Sequence, residues 1–117
     1  MVGFILGAEG ISELVPFMLR ELAEDGPGID VVYRGFAEPM HRRLCQLWAG
    51  ATGAGPDEDT VRLAVFALIG QLMYFRIGQS IVTRRMGWTA IGPSEIRQVT
   101  DRILRNLDAM LAAEKGA

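Results

Sequence analysis

A chain of 117 residues, half of them hydrophobic and 22% charged, has the make-up of one folded domain with one hydrophobic core, residues 1–117, and not of a disordered segment. Its 12 basic and 14 acidic side chains leave a net charge of −2 with no run of Lys or Arg, so the chain lacks the basic stripe that phosphate binding needs and is by itself a poor nucleic-acid binder. One Cys and one His exclude an internal disulfide and leave a zinc site of the usual kind short of ligands, and the lone thiol fits a reducing, cytoplasmic setting.

The punctuation at Asp25-Gly26-Pro27-Gly28, at Gly50 to Pro56 and at Gly87 to Pro93 separates segments of helical length and period, and no alternating strand pattern stands out. The opening stretch, Met1 to Ala8, is apolar but has no basic leader and is too short for a secretory core, so it is not read as an export signal. A first helix is predicted over Ile11 to Glu24, with Leu14, Phe17, Met18 and Leu22 as its apolar face. Ser12 caps it with Pro16 a turn inside, or Pro16 marks its first turn. A second spans Ile29 to Ala49, with Val32, Phe36, Met40, Leu44, Leu47 and Trp48 on one side, and Pro39 in its middle predicts a kink or a break. A third starts at Asp57 as N-cap, with Glu58 and Asp59 in its first turn, and runs to Met86 before Gly87 as one rod of roughly 45 Å. A fourth begins near Pro93 and sets Ile96, Val99, Ile103, Leu107, Met110 and Leu111 opposite Arg97, Asp101, Arg102, Arg105 and Asp108.

The third helix is apolar nearly all round: Leu68, Leu72, Phe75, Val82 and Met86 form one stripe, Ala67, Tyr74, Gly78 and Ile81 another, and Ile69, Met73 and Ile77 a third. Arg62, Gln71, Arg76 and Gln79 interrupt it, so it reads as a buried soluble helix and not as a membrane span. A helix apolar on every side has to be enclosed on every side. A second copy of the chain would enclose it, the third and fourth helices of each making a four-helix interface through Ala67, Gly78, Ile81, Val99, Ile103, Leu107 and Met110. Burial within one chain, under the apolar N-terminal stretch, is the alternative. The fold expected is therefore all-α, an antiparallel bundle of about four helices that forms a homodimer.

Residues able to carry chemistry are few. His41, beside Arg42 and Arg43, reads as a surface imidazole without a catalytic partner, and Cys45 as a small buried apolar residue. Asp57, Glu58 and Asp59 read as helix-opening residues and not as a metal site, and the glycines from Gly50 to Gly55 lack the Lys and Ser/Thr of a phosphate loop. No catalytic residue, metal or cofactor is expected. Gln71 and Arg76 stand out as polar groups in a helix that otherwise seeks burial. Either Gln71 satisfies a backbone group and Arg76 pairs with Glu21 or Glu38, or both face a cavity and orient a small, largely hydrophobic ligand among Tyr74, Phe75, Met18 and Met40.

The run Gly70-Gln71 with Tyr74-Phe75-Arg76, then Arg84, Gly87-Trp88 and Gly92-Pro93 with Glu95-Ile96, resembles the C-terminal domain of one branch of the TetR/AcrR family of bacterial transcription regulators. Upstream, Met18-Leu19-Arg20-Glu21-Leu22 and Glu38-Pro39 fall where that branch has a Leu-Arg-Glu-Leu helix and a proline, so the likeness covers residues 11–112 in order. The chain departs from the branch at Gln79-Ser80, where a basic residue and a proline are usual, and in carrying no helix-turn-helix head. The resemblance implies an effector-sensing and dimerising domain of a repressor-like regulator, not an enzyme, reaching DNA only through an N-terminal domain absent here. A headless interaction protein that heterodimerises with a full-length regulator is the alternative.

Overall fold

A computed structural model describes residues 9–116, with side chains from 16 to 115; the apolar opening stretch Met1 to Ala8 and the side chain of Leu14 lie outside the described residues. Regular structure among the described residues is helical throughout, as the periodicity predicts: α1 Glu9–Glu24, α2 Gly28–Val32, a π-helical turn Tyr33–Ala37, α3 Glu38–Thr52, α4 Asp59–Ile77, α5 Gln79–Met86 and α6 Pro93–Gly116.

α1 begins earlier than expected, so Ser12 is not its cap and Pro16 sits in its interior, where it withholds one helical N–H. Asp25 closes the helix in the left-handed region (φ 49), and Glu21 organises the turn that follows. The carbonyl of Glu21 accepts from the N–H of Gly26 at 3.2 Å and its carboxylate from the N–H of Gly28 at 3.0 Å.

Pro39 does not break the helix. Its ring and missing N–H fall at the start of α3, and the chain widens to a π-helical turn just before it. The N–H of Glu38 bonds back to the carbonyl of Tyr33, the five-residue step of that turn. Helical backbone thereby runs from Gly28 to Thr52 and stops at Gly53 (φ 82), whose N–H bonds to the carbonyl of Ala49 at 2.8 Å.

The single third rod is the main correction. Asp57 lies in a turn and not at the cap; the carbonyl of Glu58 accepts from the N–H of Arg62 at 3.0 Å, and the helix proper starts at Asp59. It then ends at Ile77, because Gly78 leaves helical geometry (φ −92, ψ 20). The Tyr74 ring lies over Gly78, so that a Cβ there would stand 3.0 Å from Tyr74 Cζ. The carbonyl of Gly78 accepts from Ile81 and Val82 and restarts the helix as α5. What looked like one rod is a helix of 19 residues, about 28 Å long, followed by one of 8.

α5 ends at Gly87 (φ 73), where the N–H of Trp88 bonds to the carbonyl of Thr83 at 2.9 Å, the paired closure of a left-handed C-terminus. A Cβ at Gly87 would touch nothing within 4 Å, so its cost is one of backbone conformation alone. Gly87→Ala should lower the unfolding free energy by about 1–2 kcal/mol in urea titration. α6 starts as predicted, with Pro93 in its first turn and the Glu95 carboxylate accepting from the N–H of Gly92 at 3.3 Å.

The chain falls into two compact units, Glu9–Val65 and one holding residues 66–116, the boundary lying inside α4. In the first, Cys45, Trp48, Ala49, Val61 and Val65 are buried. In the second, Leu68 and Leu72 of α4 join Val99 and Ile103 of α6, with Phe75, Trp88, Ile91, Ile96 and Leu107 packed against them. α4 is long and apolar enough to cross a membrane by length and composition, yet only 22% of that stretch is buried. Its outer side explains the gap: Leu63, Ala67, Gly70, Tyr74 and Ile77 fall at helical spacing on one stripe and all are exposed.

Candidate functional site

The polar residues of α4 are positioned by the helix that carries the core of the second unit. Gln71 is half-buried on the flank of the Leu68–Leu72 ridge and is held from α6: its carbonyl oxygen accepts from Asn106 Nδ2 at 2.9 Å, and its amide reaches Met110 Sδ at 3.5 Å. Gln71 is thus satisfied by side chains and not by the backbone group that one of its two readings gave it. Met110 faces this amide, and Asn106, which sequence reasoning passed over, is its firmest partner. An Asn on the flank of the apolar face of α6 was the available signal.

Arg76 does not pair with Glu21 or Glu38. Glu21 is taken by the Gly28 turn and Glu38 by Arg42, one turn on in α3. Arg76 Nη1 instead donates to the neutral Gln79 side chain across the helix break, at 3.1 Å. Its Nε is shut off from solvent with no acceptor, one of two such buried donors among the described residues; the other is the Trp48 indole nitrogen. Phe75 packs on the core, and Tyr74 meets it edge-on with ring centroids 6.3 Å apart, half exposed over Gly78. Gln71, Tyr74, Phe75 and Arg76 therefore belong to the second unit, whereas Met18 and Met40, both half-buried, belong to the first.

The residues expected at an interface divide in two. Val99 and Ile103 are each 4% exposed and are spent in the chain's own core, with Leu107 packed against it. Gly78 is covered by the Tyr74 ring. Ala67 and Ile81 remain exposed, the latter at 65%. The apolar face of α6 was legible in the sequence; that it turns to α4 of the same chain was not.

His41 departs from the surface reading. It is half-buried, its Nε2 donates to the carbonyl of Arg62 at 3.1 Å, and its Nδ1 lies 3.7 Å from Cys45 Sγ. Cys45 is buried, as expected, and that burial raises its thiol pKa, outweighing the nearby Arg62 guanidinium, which lowers it; Asp57 raises it further. A thiol held protonated in the fold releases its proton more readily once unfolded. Its contribution to stability is therefore whole below the unfolded pKa and is lost as pH rises through that value toward the folded one. Stability should fall above about pH 9 in wild type and less so in Cys45→Ala, read by urea titration at pH 8 and 10. Asp57 lies 3.6 Å from Arg62, and no group of three His, Cys, Asp or Glu among the described residues is placed to hold a metal.

Comparison with known proteins places this arrangement. Residues 1–114 match the family model described as the C-terminal domain of the HTH-type transcriptional dual regulator CecR. Over 107 residues the chain is 26% identical to the HTH-type transcriptional dual regulator CecR of Shigella flexneri, a match covering 92% of this chain and 48% of that protein. The chain thus spans about half the length of the curated relative it matches.

Proposed function

This chain belongs to the family of CecR C-terminal domains, and from that premise we propose that it is the effector-sensing and dimerising body of a TetR-type transcription regulator. The relative's name describes a dual regulator, which is broader than the repressor expected from sequence. In this reading DNA is contacted by the part of a full-length regulator lying outside the matched half, the protein works in the cytoplasm, and the chain's own task is to bind a small, largely hydrophobic effector and a second copy of itself. Effector binding would bias the spacing of two DNA-reading heads, the bistable element of such a regulator.

The observation that carries the reading is the outer stripe of α4. A soluble domain rarely leaves so regular an apolar row uncovered. Leu63, Ala67, Gly70, Tyr74 and Ile77 run along one side, with Ile81 of α5 and Leu104 of α6 exposed as well. Small residues at Ala67 and Gly70 would let a second helix approach closely. The proposed interface thus keeps Ala67 and Ile81 from the sequence reading and replaces its α6 core residues by this stripe. Light scattering during size exclusion over a hundredfold dilution should give about twice the 12.8 kDa chain mass. A monomer at every concentration would remove the dimerising half of the proposal.

A further inference from the structure

We propose that the effector carries an anionic group, such as a carboxylate, on an apolar body, and that the side-on edge of the Arg76 guanidinium binds that group. The proposal rests on the effector-sensing reading and narrows it to a ligand class. A guanidinium N–H withdrawn from water needs an acceptor, and a partly buried guanidinium gains from a counter-charge. Arg76 has neither in full. Gln79 engages only Nη1 and is neutral, and Nε is solvent-excluded with no acceptor. The two ion pairs among the described residues, Arg42 with Glu38 and Arg62 with Asp57, leave Arg76 out. With Nη1 bonded to Gln79, the edge formed by Nε and Nη2 is the one that presents two parallel N–H groups. A carboxylate or phosphate-like oxyanion accepts from such an edge in bidentate fashion.

Its place on α4 argues for a small ligand over the second copy of the chain. At about 100° per residue, Arg76 lies roughly 140° around the helix from the middle of the Leu63–Ile77 stripe, on the side shared by buried Val65 and Leu72. A partner helix seated on the stripe would not bring a carboxylate to it. The residues one and two turns earlier on the flank of Arg76 are Met73 and Ile69, both half-buried and apolar, a surface fit for a hydrocarbon body and not for a bare ion. The ligand chemistry that satisfies both halves is an amphipathic organic acid. A free inorganic anion satisfies only the first.

The test compares decanoate with decan-1-ol, both below their aggregation limits, and inorganic phosphate, on the full chain. The expected result is decanoate binding about tenfold more tightly than decan-1-ol by calorimetry, with the preference gone in Arg76→Gln. In wild type, decanoate and not the alcohol should move the arginine Nε–H resonance assigned to Arg76 downfield, a readout that needs no variant to fold. Equal binding of acid and alcohol in wild type overturns the anionic group while leaving the effector reading intact. So does an Arg76 Nε–H already strongly hydrogen-bonded and protected in the ligand-free protein, or saturation of that signal by phosphate alone at the same concentration. Failure of both acid and alcohol to bind overturns the effector-sensing reading itself, and the proposal with it.

Discussion

Replacing Ile103 with Ala should lower the unfolding free energy of the chain by about 2–5 kcal/mol, the span for emptying a closed aliphatic site. Ile103 is 4% exposed and belongs to the cluster of Leu68, Leu72 and Val99, so the methyl groups removed have no solvent to replace them. A small domain is stable by about 5–15 kcal/mol in all, and one of 117 residues belongs toward the lower end, so the variant should melt well below wild type. Ile103→Glu should go further and abolish cooperative unfolding, because an unpaired carboxylate in that cluster has no partner. Thermal unfolding followed by circular dichroism checks both. If Ile103→Glu kept a wild-type melting transition and merely changed the solution mass, Ile103 would be an interface residue and the internal packing of α6 on α4 would be mistaken.

That distinction shows where sequence pattern stops. The period of α6 announces an apolar face through Ile96, Val99, Ile103 and Leu107, and that face exists. Periodicity is silent on whether such a face meets the same chain or another, since both bury the same methyl groups. The helix end at Gly87 was legible because left-handed residues favour glycine and leave a mark in composition, whereas the helix expected to stop at Ala49 runs on to Thr52 before Gly53 closes it. The break at Gly78 was not legible. A lone glycine between Ile77 and Gln79 is tolerated inside many helices, and neither its departure from helical geometry nor the way the Tyr74 ring one turn earlier lies over it leaves a mark in the hydrophobic period. For the candidate site, Gln71 and Arg76 were legible as polar groups out of place. Their partners, Asn106 from 35 residues away and Gln79 across the break, were not, because a polar side chain advertises a need and not the group that meets it.

Replacing Ile77 with Glu should weaken the proposed dimer at least tenfold and leave the fold of the monomer unchanged. Ile77 is 52% exposed in the chain, so the substitution removes little that the monomer itself buries. In a two-fold pair the same side chain is lost twice. Full burial of one large aliphatic side chain contributes about 1.5–3 kcal/mol, and Ile77 is already half covered in the chain, so two copies withdraw about 1.5–3 kcal/mol before any repulsion between the paired carboxylates is added. At about 1.4 kcal/mol per tenfold, that is about one to two orders of magnitude in the dissociation constant. Gly70 supplies a control that separates fold from assembly. It sits inside α4, and a methyl group added there would meet nothing within 4 Å, so Gly70→Ala should raise monomer stability by up to about 1 kcal/mol through helix propensity. If two α4 helices approach closely at that point, the same methyl group weakens the dimer while strengthening the chain. Sedimentation equilibrium and urea unfolding on the two variants would read these effects separately. Should Ile77→Glu leave the dimer intact, the stripe is not the interface, and its exposed apolar row would have to be covered by something other than a second copy.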